Sequence, residues 1–199
     1  NRFVLNERSY HGKGAIQEIA GEVKSRGLQK ALVCSDPDLL KFGVTQKVTD
    51  VLDAAGIAYE VHSEIKPNPT IENVKDGVEA SKAAQADCII AIGGGSAIDM
   101  AKAISYFGHK ADSNRKTTLV AIPTTSGTGS EVTSIAVITD KVNSVKIPLN
   151  DEMLIPDAAI LDARFTRTVP PHVTAATGMD VLTHAVEAYT SRYSNVFTA

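Results

Sequence analysis

Cysteine is scarce: Cys34 and Cys88 are the only two in 199 residues, each inside an apolar run. That argues against a disulfide framework or a thiolate metal centre and reads as two buried free thiols. Long apolar runs are missing as well. None approaches the roughly 20 residues that a helix needs to cross a bilayer, so no membrane span is expected. Neither sign of charge dominates, with 20 basic and 23 acidic side chains and a net charge of −3. With a pI near 6.0, a nucleic-acid footprint is not expected. The first residues lack a basic stretch followed by an apolar one, so no secretory signal is read. Internal repeats and low-complexity tracts are also absent, and no phosphate-loop signature G-x-x-x-x-G-K-[ST] occurs.

What is present is 43% apolar residues, enough for a real core in a chain that can bury roughly 70% of its unfolded surface. The expectation is a soluble, reduced, cytoplasmic chain holding one domain, or one domain and part of a second.

Apolar residues alternate between strand and helix patterns. Ala15, Ile16, Ile19, Ala20 and Val23 share one helical face, and Gly27 closes that helix. Residues 31–34 read as a buried strand. Pro37 opens a helix whose apolar face carries Leu40, Val44, Val48, Val51 and Leu52, with Gly56 at its end. A strand is expected over 57–61, a loop over 67–70 ending in a helix cap, and a helix to about Ala84. Then come a buried strand at 88–92, a helix to about Phe107, a polar connection over 108–117, a buried strand at 119–122 and a further strand at 135–139. From Pro170 to the end the periodicity is helical, still so at 185–193, with no cap or closing strand. The sequence therefore reads as truncated. Repeated strand–helix units predict an α/β fold, a Rossmann-like parallel sheet with helices on both faces, over 1–165. Residues 166–199 read as the start of an all-helical second domain.

Three glycines, Gly93, Gly94 and Gly95, join a buried strand directly to a helix at Ser96. Without β-carbons the backbone amides can reach an anion, and the helix start adds about half a positive charge. Ser96 and Asp99 have the spacing of a capping box. Asp36, after the strand at 31–34, stands at the sheet edge where a ribose would be held, or serves as a helix-start charge beside Pro37. A second loop, 123–131, carries Thr124, Thr125, Ser126, Thr128 and Ser130 around Gly127 and Gly129. It reads either as hydroxyl donors for a shared ligand or as a flexible connection. Asp180 and His184, four apart, share one helix face and can bind one divalent metal. Thr177 and Asp180 have capping-box spacing, which would make Asp180 only a helix-start residue. His11, His62, His109 and His172 form no obvious second pair.

Taken together, the stretches KPNPT at 66–70, IGGGS at 92–96 with Asp99 and Lys102, AIPTTSGTGSEVT at 121–133, PDAAILD at 156–162 and TGMDVLTHAVE at 177–187 resemble the iron-dependent (group III) alcohol dehydrogenase family. The resemblance covers nearly the whole chain and is closest to the branch of lactaldehyde (1,2-propanediol) reductases and 1,3-propanediol dehydrogenases. It implies hydride transfer between NAD(H) and a small primary alcohol or diol and its aldehyde, in a cytoplasmic homo-oligomer. Asp36 would hold the adenosine ribose of NAD and Asn68 would lie beside it. Gly94, Gly95 and Ser96 would hold the pyrophosphate. Thr124, Thr125 and Thr128 would contact the adenine and phosphate side, with Val137 and Lys146 along the cleft. Asp180 and His184 would be two of four ligands to a divalent iron (Fe2+), which Zn2+ could replace. No catalytic side chain beyond the metal ligands is implied. The family's two histidine ligands from its C-terminal helical domain are not in this sequence, and the segment after Phe107 is shorter than the family's. The competing readings are a non-catalytic nucleotide-binding module and a relative of glycerol dehydrogenase or dehydroquinate synthase.

Overall fold

The computed structural model describes residues 4–196. Among the described residues there are eight strands: β1 (Arg8–His11), β2 (Lys30–Cys34), β3 (Ala58–His62), β4 (Cys88–Gly93), β5 (Thr118–Pro123), β6 (Ile135–Asp140), β7 (Val145–Asn150) and β8 (Ala158–Leu161). Six of them make one parallel sheet in the order β1-β8-β5-β4-β2-β3, and β6 with β7 forms an antiparallel hairpin. The helices are α1 (Glu18–Ser25), α2 (Pro37–Lys41), α3 (Gln46–Ala55), α4 (Ile71–Ala83), α5 (Gly95–Ala111) and α6 (Pro171–Thr190).

The continuous apolar runs of β4 and β5 are explained by burial on both faces. Alternate residues point opposite ways, so each strand feeds two cores. Val33, Ile90, Ile92, Val120 and Ile122 pack with Ile19 and Val23 of α1 and Val48 and Leu52 of α3. Leu32, Ile89, Ala91, Leu119 and Ala121 pack with Val74 and Val78 of α4 and Ile98, Ala101 and Ile104 of α5. The doubly covered parallel sheet is the expected fold class.

The chain leaves β2 toward the α3 face and leaves the adjacent β4 toward the α5 face. Neighbouring strands with exits on opposite faces open a crevice at their carboxyl ends, where open α/β sheets take their ligands.

Several elements differ from expectation. The single helix expected after Pro37 is two, α2 and α3, because Gly43 adopts φ +69° between them. Helix α5 runs to Ala111 rather than Phe107; His109 and Lys110 favour the negative end of its last turn. Strands β1, β7 and β8 were not anticipated. Both free thiols, Cys34 and Cys88, are buried as expected, and burial pushes Cys34 up to about 12. Among the described residues no helix is long and apolar enough to cross a membrane.

Candidate cofactor site

The site begins where β4 ends. Gly93 closes the strand at φ +155°, and a β-carbon there would lie 2.5 Å from Cβ of Ala97. Only glycine lets the backbone turn so tightly into α5. Gly94 caps the helix in an extended conformation with no side-chain cap. The amides of Gly95 and Ser96 stand in the first helical turn, where no carbonyl precedes them in the helix. The capping box expected from Ser96 and Asp99 does not form. Ser96 Oγ instead accepts from the Asn68 amide at 3.4 Å. Asp99 turns to the second loop, because tertiary donors there outcompete its own helix start.

The second loop leaves β5 beside the first. Gly93 is in register with Pro123, and the Thr124 amide donates to the Gly93 carbonyl at 2.9 Å. The loops touch along the glycines. A β-carbon on Gly94 would meet Thr125 Oγ1 at 3.4 Å, and one on Gly95 would meet Thr128 Cγ2 at 2.8 Å. The glycines thus give the amides room and let the threonines close in. The second loop is therefore packed in place rather than slack.

Asp36 serves as the cap of α2, with Oδ1 accepting from the Leu39 amide at 2.8 Å. Its other oxygen faces the glycine turn, 3.9 Å from the position of a β-carbon on Gly93. Both readings of Asp36 are therefore compatible: one oxygen caps the helix and the other faces the crevice. Asn68 holds φ +55° in the loop that ends in Thr70, the expected cap of α4, which forms a capping box with Asn73. Asp36, Asn68, Gly94, Gly95, Ser96, Thr124, Thr125 and Thr128 are thus gathered around the carboxyl ends of β2, β4 and β5. Val137 lies on β6 with its amide on Asp99 at 2.9 Å. Lys146 is exposed on β7 in register with Thr139, and among the described residues no hydrogen bond joins it to the glycine loop.

The family model for iron-containing alcohol dehydrogenase matches residues 6–163. The chain belongs to the iron-containing alcohol dehydrogenase family. It is 42% identical over 205 residues to lactaldehyde reductase of Escherichia coli, covering 96% of this chain and 54% of that protein. It is 44% identical over 199 residues to a 1-propanol dehydrogenase of Salmonella typhimurium, covering 100% and 52%. A crystal structure of sulfoacetaldehyde reductase from Bifidobacterium kashiwanohense in complex with NAD+ superposes with a TM-score of 0.88 at 31% identity, over 96% of this chain and 54% of that one. The chain spans about half the length of the curated relatives it matches.

Asp180 and His184, the pair expected to bind a metal, lie on α6. His184 Nε2 and Asp180 Oδ1 are 3.8 Å apart, with His184 exposed and Asp180 half-buried. The helix starts at Pro171, so Asp180 is mid-helix, and Thr177 donates back to the Val173 carbonyl rather than capping. The helix-start reading of Asp180 is therefore excluded. Among the described residues no third His, Cys, Asp or Glu joins the pair. A carboxylate and an imidazole suit divalent iron or zinc, but a protein site needs three or four donors, so these two residues alone do not complete one. Helix α6 meets the second loop at Gly127, where a β-carbon would lie 2.7 Å from Thr177 Cβ.

Sequence reasoning missed the roles of Asp99, Lys102 and Ser130. The available signal was a lysine on the apolar face of α5 beside Ile98 and Ala101, a charge that burial tolerates only with partners.

Proposed function

We propose that this chain forms the cofactor-binding part of an oxidoreductase that moves a hydride between NAD(H) and a small primary alcohol or diol and its aldehyde. The observation that carries the reading is the direct contact of the two strand-end loops at Gly94–Thr125 and Gly95–Thr128 in a chain of this family. The amides of Gly94, Gly95 and Ser96 would hold the pyrophosphate at the positive end of α5. The free oxygen of Asp36 would accept from a ribose hydroxyl. Thr124, Thr125 and Thr128 would donate hydroxyls from the facing loop, and Asn68, Val137 and Lys146 would line the remaining length.

The nicotinamide, when bound, supplies the hydride chemistry. Asp180 and His184 would hold one side of a divalent iron, whose contribution is Lewis-acid polarisation of the substrate oxygen. On this reading residues 1–165 are the dinucleotide domain and 166–199 begin a helical metal-binding domain. The protein would act in the cytoplasm as a homo-oligomer, in keeping with its two free thiols. The same loop contact also fits a second reading, a nucleotide-binding module without turnover.

Calorimetric titration with NAD tests the first part: binding is expected, and its absence would sink both readings. Propanol and 1,2-propanediol oxidation by the protein carrying this sequence separates the two, because the module reading predicts binding without turnover.

A further inference from the structure

Helix α5 grips the end of the hydroxyl loop and the segment after it at four residues. Asp99 Oδ1 accepts from Ser130 Oγ at 2.5 Å, and Oδ2 accepts from the Val137 amide at 2.9 Å. One turn later, Lys102 Nζ donates to the Thr133 carbonyl at 2.8 Å, to Thr133 Oγ1 at 3.1 Å and to the Ile135 carbonyl at 2.8 Å. All three ammonium hydrogens are used, and Lys102 is fully buried. An apolar side chain would fill the same space without the cost of desolvating a charge. Between Pro123 and Ile135 the chain has no regular structure except one 3-10 turn at Ser130–Val132. Its placement therefore rests on side-chain anchors rather than on a strand ladder.

We infer that Asp99 and Lys102 are positioning residues for cofactor binding: from the helix that starts at the glycine loop, they fix the threonine loop and β6 opposite it. The inference rests on the dinucleotide reading above. The glycine amides and the Thr124, Thr125 and Thr128 hydroxyls then face one ligand at a fixed separation, although neither anchor needs to touch it. Burial lowers the Lys102 ammonium to about 8, while the Asp99 and Glu131 carboxylates pull the other way. A charge kept at that disadvantage is spent on geometry, since its three acceptors accept only one arrangement of the segment.

The test is NAD affinity by calorimetry on folded protein, with thermal denaturation alongside. Asp99→Leu and Lys102→Met are expected to weaken NAD binding roughly tenfold or more, because small misplacements of binding groups cost that much. Asp99→Asn is expected to stay near the unmutated affinity. Its carbonyl can take the Val137 amide and its NH2 can donate to Ser130 Oγ, which reverses one hydrogen bond and keeps both. Arg115→Met is the control. Arg115 Nη2 donates to Ser81 Oγ at 3.0 Å and to the Ala86 carbonyl at 3.1 Å, away from the loops; its loss should lower the melting temperature and leave NAD affinity intact. If Asp99→Leu does not fold, Ser130→Ala removes one anchor bond without touching a charge and should weaken NAD in the same direction. Unchanged affinity in the anchor variants would overturn the inference while leaving the dinucleotide reading standing. So would an Asp99→Asn as weak as Asp99→Leu, which would mean the carboxylate charge itself is needed. An equal loss in Arg115→Met would reduce the effect to general loosening. No NAD binding by the unmutated protein would remove the dinucleotide reading itself.

Discussion

Gly95 and Thr128 are packed so closely that a β-carbon on the glycine would fall 2.8 Å from Thr128 Cγ2 and 3.0 Å from its Oγ1. Carbon atoms pack best at about 3.5–4.0 Å, so Gly95→Ala must push the second loop away. NAD affinity should fall roughly tenfold, about 1.4 kcal/mol, in a protein that still folds. Gly108, thirteen residues along the same helix, has nothing within 4 Å of a β-carbon. Gly108→Ala should leave affinity unchanged and raise stability by about 0.5–1 kcal/mol. Paired calorimetry and thermal denaturation of the two variants check both halves.

Asp36 is expected to make the protein prefer NAD to NADP, because its free oxygen would repel a 2′-phosphate. Asp36→Ser keeps an oxygen for the Leu39 amide, so the cap of α2 survives, while the negative charge is lost. The preference should narrow with little change in melting temperature. Similar affinity for both cofactors in the unmutated protein would remove Asp36 from the ribose.

Asp162 sets an acid limit on stability. It is buried and accepts from the amides of Gly14 and Arg164 and from the Arg164 guanidinium. Arg164 first, then the two amides, hold its carboxyl well below the usual range, at about 2. A carboxyl that is more acidic folded than unfolded stabilises the fold fully above its unfolded value near 3.9, and that stabilisation disappears as the pH falls toward 2. The contribution is about 2 kcal/mol. Between pH 5 and pH 2 the unmutated protein should lose about that much more stability than Asp162→Asn, measured by urea denaturation at each pH. Parallel curves for the two proteins would contradict the assignment.

With no third donor beside Asp180 and His184 among the described residues, a protein of this sequence should hold iron or zinc weakly. Dialysis against buffer should remove the metal, and elemental analysis should find well below one ion per chain. His184→Ala should abolish the remaining weak binding seen by titration. Retention of a full equivalent after dialysis would demand donors not seen among the described residues.

The buried half of the fold was legible in the sequence because burial leaves a periodic trace. Strands β2, β4 and β5 and the faces of α1, α4 and α5 carry continuous or periodic apolar residues. The remaining strands left little. β1 is a mostly exposed edge strand, β7 alternates weakly in a separate hairpin, and β8, though buried between β1 and β5, is only four residues long, so pairing with neighbours decides them. At the site, the glycines and threonines were legible because each marks a local backbone demand. Asp99 was misread as half of a capping box because its partners, Ser130 and Val137, lie 31 and 38 residues away. No local pattern encodes that.

Helix α6 has 20 residues and none of them buried. Amide hydrogen exchange follows local opening, and opening is cheap where little apolar contact must be broken. Measured residue by residue, α6 should exchange on its own schedule, far ahead of β4 and β5, with its slowest amides near the Gly127 contact. The Asp180–His184 pair would therefore be the first part of the chain to lose its geometry on warming, well before the glycine loop does. A partner surface laid along the exposed Met179, Leu182, Val186 and Tyr189 would bring that schedule into line with the rest.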